Sequence, residues 1–187
     1  MRKSLLFVWA CMGLVCLVSA CKTSVKSKEW KLVWVENFDQ KNSFDESVWT
    51  KIPRGTSDWN NYMSYYDSCY AMQDGNLILR GIANHTQKND TAPYLTGGVY
   101  TKGKKLFTGG RVEIRAKLQA AKGAWPAIWM LPEKAEWPKG GEIDIMEAFN
   151  TRSDIQSTIH YPKWNGADQY VYTNRNISNK TEWHTYG

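Results

Sequence analysis

The sequence of 187 residues contains only four cysteines, and three of them lie within the first 21 residues. Cys69 is therefore the single cysteine of the remaining chain. One cysteine cannot form an internal disulfide, which excludes a small fold held together by disulfide bonds. No pattern that would activate a nucleophilic thiol surrounds Cys69, so we expect a buried structural thiol there.

The sequence also lacks a hydrophobic run of membrane-spanning length. Residues 5–18 are almost unbroken in their apolar character, but a transmembrane helix needs about 20 such residues. Behind a short basic start, this run fits the core of a secretory signal. The following Val18-Ser19-Ala20-Cys21 resembles the bacterial lipobox, in which the cysteine receives a lipid and becomes the new N-terminus.

These features predict a lipoprotein signal peptide over residues 1–20, a lipidated Cys21 and a polar tether over residues 21–29. The expected location is the cell envelope, as an outer-membrane lipoprotein that faces either the periplasm or the exterior. An ordinary signal peptide, in which Cys21 has no role, is the alternative.

Neither sign of charge dominates the chain. The net charge is +6, and removal of residues 1–20 would lower it to +4 because Arg2 and Lys3 leave with that segment. The densest basic cluster, residues 102–105, is interrupted by Gly103 and is typical of a solvated turn. Nucleic acid is therefore not an expected partner.

Sustained helical periodicity is absent as well. Period-two alternation over residues 30–35, 76–80 and 111–118 predicts strands with one wet face, and Asp74-Gly75 is one of several turn signals between them. Residues 30–187 therefore read as one all-β domain, an antiparallel two-sheet sandwich. Because residues 183–187 look like a strand that is just starting, we expect the domain to be incomplete at its C-terminus.

Aromatic residues, in contrast, are abundant, with 10 Trp and 10 Tyr. Some of them belong in the core. Exposed aromatic rings also suit the apolar face of a sugar ring, and composition alone does not separate these two uses.

The chemistry is concentrated in Glu142-Ile143-Asp144-Ile145-Met146-Glu147. On a regular strand Glu142 and Asp144 share a face and Glu147 points away. A β-bulge near Ile145 and Met146 would return Glu147 to that face, with Ile143 and either Ile145 or Met146 filling the core beneath. Three carboxylates on one face repel one another, so one should hold a proton near neutral pH. A retaining glycosidase needs one ionised carboxylate as nucleophile and one protonated carboxyl group as acid, with the two groups about 5–5.5 Å apart.

Two other uses of this cluster remain open. It could bind Ca²⁺, although such sites usually draw their oxygens from a loop. It could also be a solvated strand face, although such faces normally mix lysine and threonine with glutamate.

The motif 142–147 resembles the signature of glycoside hydrolase family 16 in its bulged, laminarinase-like form. Residues 123–131 are similar to the family strand before the catalytic one, residues 109–116 to the strand before that, and residues 34–38 to the opening strand. Residues 183–187 resemble a later strand. The resemblance implies a β-jelly-roll of concanavalin-like type with a concave glycan cleft.

By this resemblance Glu142 is the nucleophile, Glu147 the acid/base and Asp144 the group that orients the nucleophile. The mechanism requires a raised pKa for Glu147 and no metal or other cofactor. The resemblance also allows a structural Ca²⁺ on the convex side, with Glu36 and the carbonyl of Gly75 as contributors and the remaining ligand expected beyond Gly187.

Several residues are predicted to bind substrate. Trp125 and Trp129 lie four apart, so they share a face of an extended chain and could line the cleft; Trp129 could equally be core. By resemblance, Trp125 stacks on sugar and His160 contacts sugar hydroxyls, although a lone histidine is more often structural. Asn60 and Asn61 fit the laminarinase-like pattern, whereas Tyr62 and Ser64 replace its Glu and Gln.

That departure leaves the catalytic residues intact but weakens the substrate assignment. We rank a β-1,3 or mixed-linkage β-glucan first and a β-galactan of agar, keratan or mucin type second, cut internally by a monomeric enzyme. A non-catalytic glycan-binding sandwich and a transglycosylase are the competing functions. The crowded carboxylates argue against a binding sandwich, which has no need for them. The bulged motif argues against a transglycosylase, because the transferring relatives usually carry the unbulged form.

Overall fold

The computed structural model describes residues 29–119 and 121–187. The predicted signal peptide, the lipidated Cys21 and nearly all of the tether lie outside these residues. No helix of the described residues is long and apolar enough to cross a membrane.

The chain divides into two units, residues up to Val35 and residues from Glu36 onward. In the described part of the first unit, residues 29–35 form no strand, and Leu32 and Val33 are exposed. The strand predicted over residues 30–35 is therefore wrong, because alternation is not sufficient without a partner strand and no described strand pairs with this segment.

The second unit is built from short strands and one 3₁₀ turn, Asp67–Cys69. In chain order the strands are β1 (Thr50–Lys51), β2 (Tyr70–Gln73), β3 (Asn76–Leu79), β4 (Gly81–Ala83), β5 (Tyr94–Thr96), β6 (Val99–Tyr100), β7 (Ile114–Ala116), β8 (Ala127–Met130), β9 (Glu142–Glu147), β10 (Asp154–Pro162), β11 (Asp168–Asn176) and β12 (His184–Tyr186).

All of these strands pair antiparallel. The largest sheet has the order β11-β10-β9-β8, and the other pairs are β7 with β12, β2 with β3, β4 with β5 and β1 with β6. The predicted all-β antiparallel class is confirmed. The strand predicted over residues 111–118 is reduced to β7, which matches the three residues that its partner β12 provides.

One predicted turn is seen in detail. Asp74 and Gly75 join β2 to β3 and both have positive φ, at 52° and 68°. Two central residues of this kind define the type I′ hairpin turn, which matches the twist of the strands that it connects.

The core lies between the four-stranded sheet and the β7–β12 pair. Its fully buried members are Met146 and Ala148, packed with Leu118, Ile155 and Tyr186. Met146 thus fills the core beneath β9, as predicted. Ile143, which was predicted to do the same, is 50% exposed because this core cluster lies under the other end of β9.

Candidate active site

A β-bulge in β9 brings the three carboxylates together. On β10, Gln156 pairs with Glu147 and Thr158 with Asp144, so β9 uses three steps where β10 uses two. The same shift occurs against β8. The bulge predicted near Ile145 and Met146 is confirmed. It places Glu147 on the face of Glu142 and Asp144 while Met146 points into the core.

Glu147 is held at both carboxylate oxygens. The indole Nε1 of Trp125 donates to Oε1 at 3.0 Å, and the Thr158 hydroxyl donates to Oε2 at 3.0 Å. The side-chain amide of Gln156 in turn donates to the Thr158 hydroxyl at 3.1 Å. Glu147 is 7% exposed, so this network fixes one orientation of a nearly buried carboxyl group.

Glu142 lies at the start of β9 and is more accessible. Its Oε2 accepts a hydrogen bond of 2.8 Å from the indole Nε1 of Trp137. Trp137 belongs to the loop between β8 and β9 and is half exposed, so this contact ties the loop to the carboxylate.

Asp144 lies between the two glutamates and is buried. Burial, together with the negative charges of Glu142 and Glu147, raises its pKa from 3.8 to about 7. The proton predicted to be held among the three carboxyl groups thus falls on Asp144. The reason is position, because Asp144 faces both other carboxylates and has little access to water.

His160 extends the cluster onto β10 and β11. Its Nε2 lies 3.3 Å from Oδ2 of Asp144, and its Nδ1 lies 3.1 Å from Oδ2 of Asp168. Burial of the ring opposes protonation, but the hydrogen bond and charge of Asp168 and the charges of Asp144 and Glu142 outweigh it, so the pKa of His160 is raised.

The two predicted tryptophans reach the site in different ways. Trp125 precedes β8 and contacts Glu147 through its indole nitrogen while its ring remains 44% exposed. Trp129 pairs with Asp144 across the strands and packs edge-on against Trp59, with ring centroids 5.1 Å apart. Both therefore lie beside the carboxylates, and Trp129 connects them to the loop that contains Trp59.

The two predicted asparagines lie in that loop. The side-chain oxygen of Asn60 accepts the N–H of Ser57 at 3.1 Å, which stabilises the loop. The side-chain oxygen of Asn61 is buried and has no hydrogen-bond partner among the described residues.

Sequence reasoning missed Thr158, Trp137 and Asp168, which contact the predicted site residues directly. Thr158 could have been found, because it lies two positions before His160 and period-two alternation places both on one face. Trp137 and Asp168 carry no such signal, since only the folded loop and the β10–β11 hairpin bring them to Glu142 and His160.

The calcium site that the resemblance allows stays a prediction. The two oxygens of Glu36 accept hydrogen bonds from the N–H of Phe38 and the indole of Trp49. No group of three or more His, Cys, Asp and Glu in residues 29–119 and 121–187 is arranged to hold a metal ion.

Comparison with known proteins identifies the domain. Residues 71–185 match the model of the XgeA-like, catalytic GH16 domain. The chain is 43% identical over 143 residues to a keratan-sulfate endo-1,4-beta-galactosidase of Sphingobacterium multivorum, covering 74% of this chain and 33% of that protein. It is 32% identical over 174 residues to a beta-glucanase of Rhodothermus marinus, covering 88% and 59%.

A solved structure agrees with this assignment. SCLam, a non-specific endo-beta-1,3(4)-glucanase from family GH16, superposes with a TM-score of 0.70 at 28% identity, over 85% of this chain and 64% of that one. The chain thus spans less than two thirds of each of these relatives, and it shares their jelly-roll fold. On this evidence, the chain belongs to glycoside hydrolase family 16.

Proposed function

We propose that this chain carries the active site of a retaining endo-glycosidase that cuts a β-linked polysaccharide. The observation that supports it best is the bulge in β9, which places Glu142, Asp144 and Glu147 on one face. A lectin has no need for three crowded carboxylates, whereas double displacement needs a nucleophile and an acid close together.

In the proposed mechanism Glu142 attacks the anomeric carbon while Glu147 gives its proton to the departing glycosidic oxygen. The C–O bond to the leaving sugar breaks, and a covalent glycosyl-enzyme forms. Glu147, now ionised, removes a proton from water, which attacks the anomeric carbon and releases Glu142. The hydrogen bonds from Trp125 and Thr158 keep the Glu147 carboxyl group in position for both proton transfers.

Asp144 is proposed to orient the nucleophile. With a pKa near 7 it carries a proton through much of the neutral range, and a protonated carboxyl group can donate a hydrogen bond to the Glu142 carboxylate. The contact of His160 with Asp144 and the hydrogen bond from Trp137 to Glu142 support both carboxyl groups.

The substrate proposed first is a β-1,3 or mixed-linkage β-glucan, in line with the beta-glucanase and the endo-beta-1,3(4)-glucanase to which the chain is similar. A β-galactan is the second candidate, because the relative with 43% identity is a keratan-sulfate endo-1,4-beta-galactosidase. In either case Trp125 and Trp129 would stack on sugar rings, with His160, Asn60 and Asn61 beside the cleft.

We further propose that Cys21 is lipidated and anchors a monomeric enzyme to the outer membrane. This proposal rests on the N-terminal sequence alone, in which a basic start and an apolar run precede Val18-Ser19-Ala20-Cys21.

The direct test incubates the protein without residues 1–20 with a panel of β-glucans and β-galactans and follows reducing ends and product sizes. Rapid release of oligosaccharides from one polymer, lost in Glu142→Ser and retained in Glu46→Ser, is expected; Glu46 is an exposed glutamate outside the site. A folded wild type that binds a polymer and cleaves none would overturn the enzyme and leave a glycan-binding module.

A further inference from the structure

The face that carries the carboxylates continues across β10 onto β11. Glu142 pairs with His160 and His160 with Tyr170, while Asp144 pairs with Thr158 and Thr158 with Tyr172. Residues paired directly across antiparallel strands point to the same side of the sheet. Tyr170 and Tyr172 therefore stand on the active-site face.

The two tyrosine rings are continuous with the site. Ring centroids are 6.1 Å apart from Trp137 to His160, 5.4 Å from His160 to Tyr170 and 6.2 Å from Tyr170 to Tyr172. Tyr170 is 56% exposed and Tyr172 58% exposed. The series thus begins at the tryptophan that binds Glu142 and ends in two rings that are open to solvent.

The two rings do not belong to the buried core of the described residues. On the opposite face of β11, Val171 is 54% exposed, and none of the buried core residues comes from this strand. Exposed aromatic rings on the face of an active site are typical of a ligand-binding surface, because their flat faces can pack against a bound molecule.

We propose that Tyr170 and Tyr172 form a sugar-binding subsite of the cleft, which holds the polysaccharide beyond the sugar that is cleaved. This rests on the proposed glycosidase function. Strands in a sheet lie about 4.8 Å apart, so β11 is roughly 10 Å from β9. The rings are thus too far away to act on the scissile bond, and their flat faces suit the apolar face of a pyranose.

The test uses the protein without residues 1–20 in two forms, active and with Glu142→Gln so that bound sugars are not cut. Calorimetry measures the Kd for hexasaccharides of β-1,3-glucan, mixed-linkage β-glucan and keratan-type galactan. Tyr170→Ala/Tyr172→Ala is expected to raise the Kd of the preferred hexasaccharide about tenfold. In the active form the same pair is expected to raise KM for the polymer by more than it lowers kcat, since a subsite away from the scissile bond acts mainly through binding.

Two variants serve as controls. Tyr161→Ala removes a tyrosine that is 39% exposed on the opposite face of β10, and its Kd should match the wild type. Tyr170→Phe/Tyr172→Phe retains both rings and should retain affinity within about twofold, which separates stacking from hydrogen bonding by the hydroxyl groups.

The outcomes separate the two proposals. If the wild type binds and cleaves a polymer and the alanine pair behaves as Tyr161→Ala does, the subsite is refuted and the glycosidase stands. If the wild type neither binds nor cleaves any probe, both are refuted. Should the alanine pair not fold, as judged by its melting temperature, Tyr172→Ala alone is measured, with a rise in Kd expected and an unchanged Kd contradicting the subsite.

Discussion

The hydroxyl of Ser157 donates a hydrogen bond of 2.8 Å to the backbone carbonyl of Ile145, the extra residue of the bulge in β9. Ser157 lies between the partners of Glu147 and Asp144 on β10. A bulge leaves a backbone group outside the regular ladder, and here a side chain from the neighbouring strand satisfies it. Ser157 thus supports the bulge that positions Glu147, although the hydrogen bonds to the Glu147 carboxyl group come from Trp125 and Thr158.

Replacement of Ser157 by alanine should therefore loosen the bulge. The Ile145 carbonyl would lose its donor, at a cost of about 1 kcal/mol in the free energy of unfolding, and kcat should fall because Glu147 is less well aimed. Urea unfolding and steady-state kinetics measure both effects. Ser157→Thr, which retains the hydroxyl, should lose much less. Full activity and stability in Ser157→Ala would show that the bulge does not need this bond.

Thr158 supports Glu147 directly, so Thr158→Val should lower kcat. Valine has nearly the shape of threonine but cannot donate to Oε2 of Glu147. We expect kcat to fall about tenfold or more with little change in KM, since the lost bond orients the group that transfers the proton. Thr158→Ser should retain most of the rate. A change confined to KM would contradict this role.

The raised pKa of Asp144 makes stability depend on pH. The folded protein retains this proton up to about pH 7, whereas the unfolded chain releases it near its ordinary value of 3.8. Native Asp144 therefore binds more protons between these limits, and its contribution to stability falls as the pH rises through them. The side chain in Asp144→Asn is neutral at every pH. The melting temperature of this variant relative to that of the wild type should therefore rise as the pH is raised from about 4.5 to 8. Parallel melting curves would contradict the assignment.

We expect Asp168 to be a main cause of the raised pKa of His160. Its carboxylate binds Nδ1, and Asp144 and Glu142 face the same ring with Trp137 and Tyr170. Asp168→Asn removes one charge and weakens one hydrogen bond, so the pKa of His160 should fall. Titration of the ring protons by NMR measures it, and the resonances of His85 and His184 serve as internal controls. An unchanged His160 titration would show that Asp168 does not set its protonation.

The sequence contained enough to predict the centre of the site. Period-two alternation left Glu147 on the wrong face of a regular strand, and only an inserted residue could bring it beside Glu142 and Asp144; the register of β9 confirms that insertion. The Asp74-Gly75 turn was predictable for the same kind of reason, because its backbone angles are set by local chemistry.

What could not be predicted depends on distant parts of the chain. Asp168 reaches His160 only because the β10–β11 hairpin closes with Pro162 opposite Asp168, and Trp137 reaches Glu142 through a loop. The site of the raised pKa is also a tertiary property, since burial rather than spacing selects Asp144. In the segment 30–35 the sequence predicted a strand that does not form, because an alternating pattern needs a partner strand to pair with.

The stereochemistry of the first product tests the central claim most directly. Proton NMR of the anomeric signals, recorded from the start of hydrolysis of the preferred polymer, should show the β-anomer first and the α-anomer only later by mutarotation. Glu142→Ser should yield neither signal. Initial appearance of the α-anomer would mean single displacement by water, and it would contradict the assignment of Glu142 as nucleophile and Glu147 as acid/base.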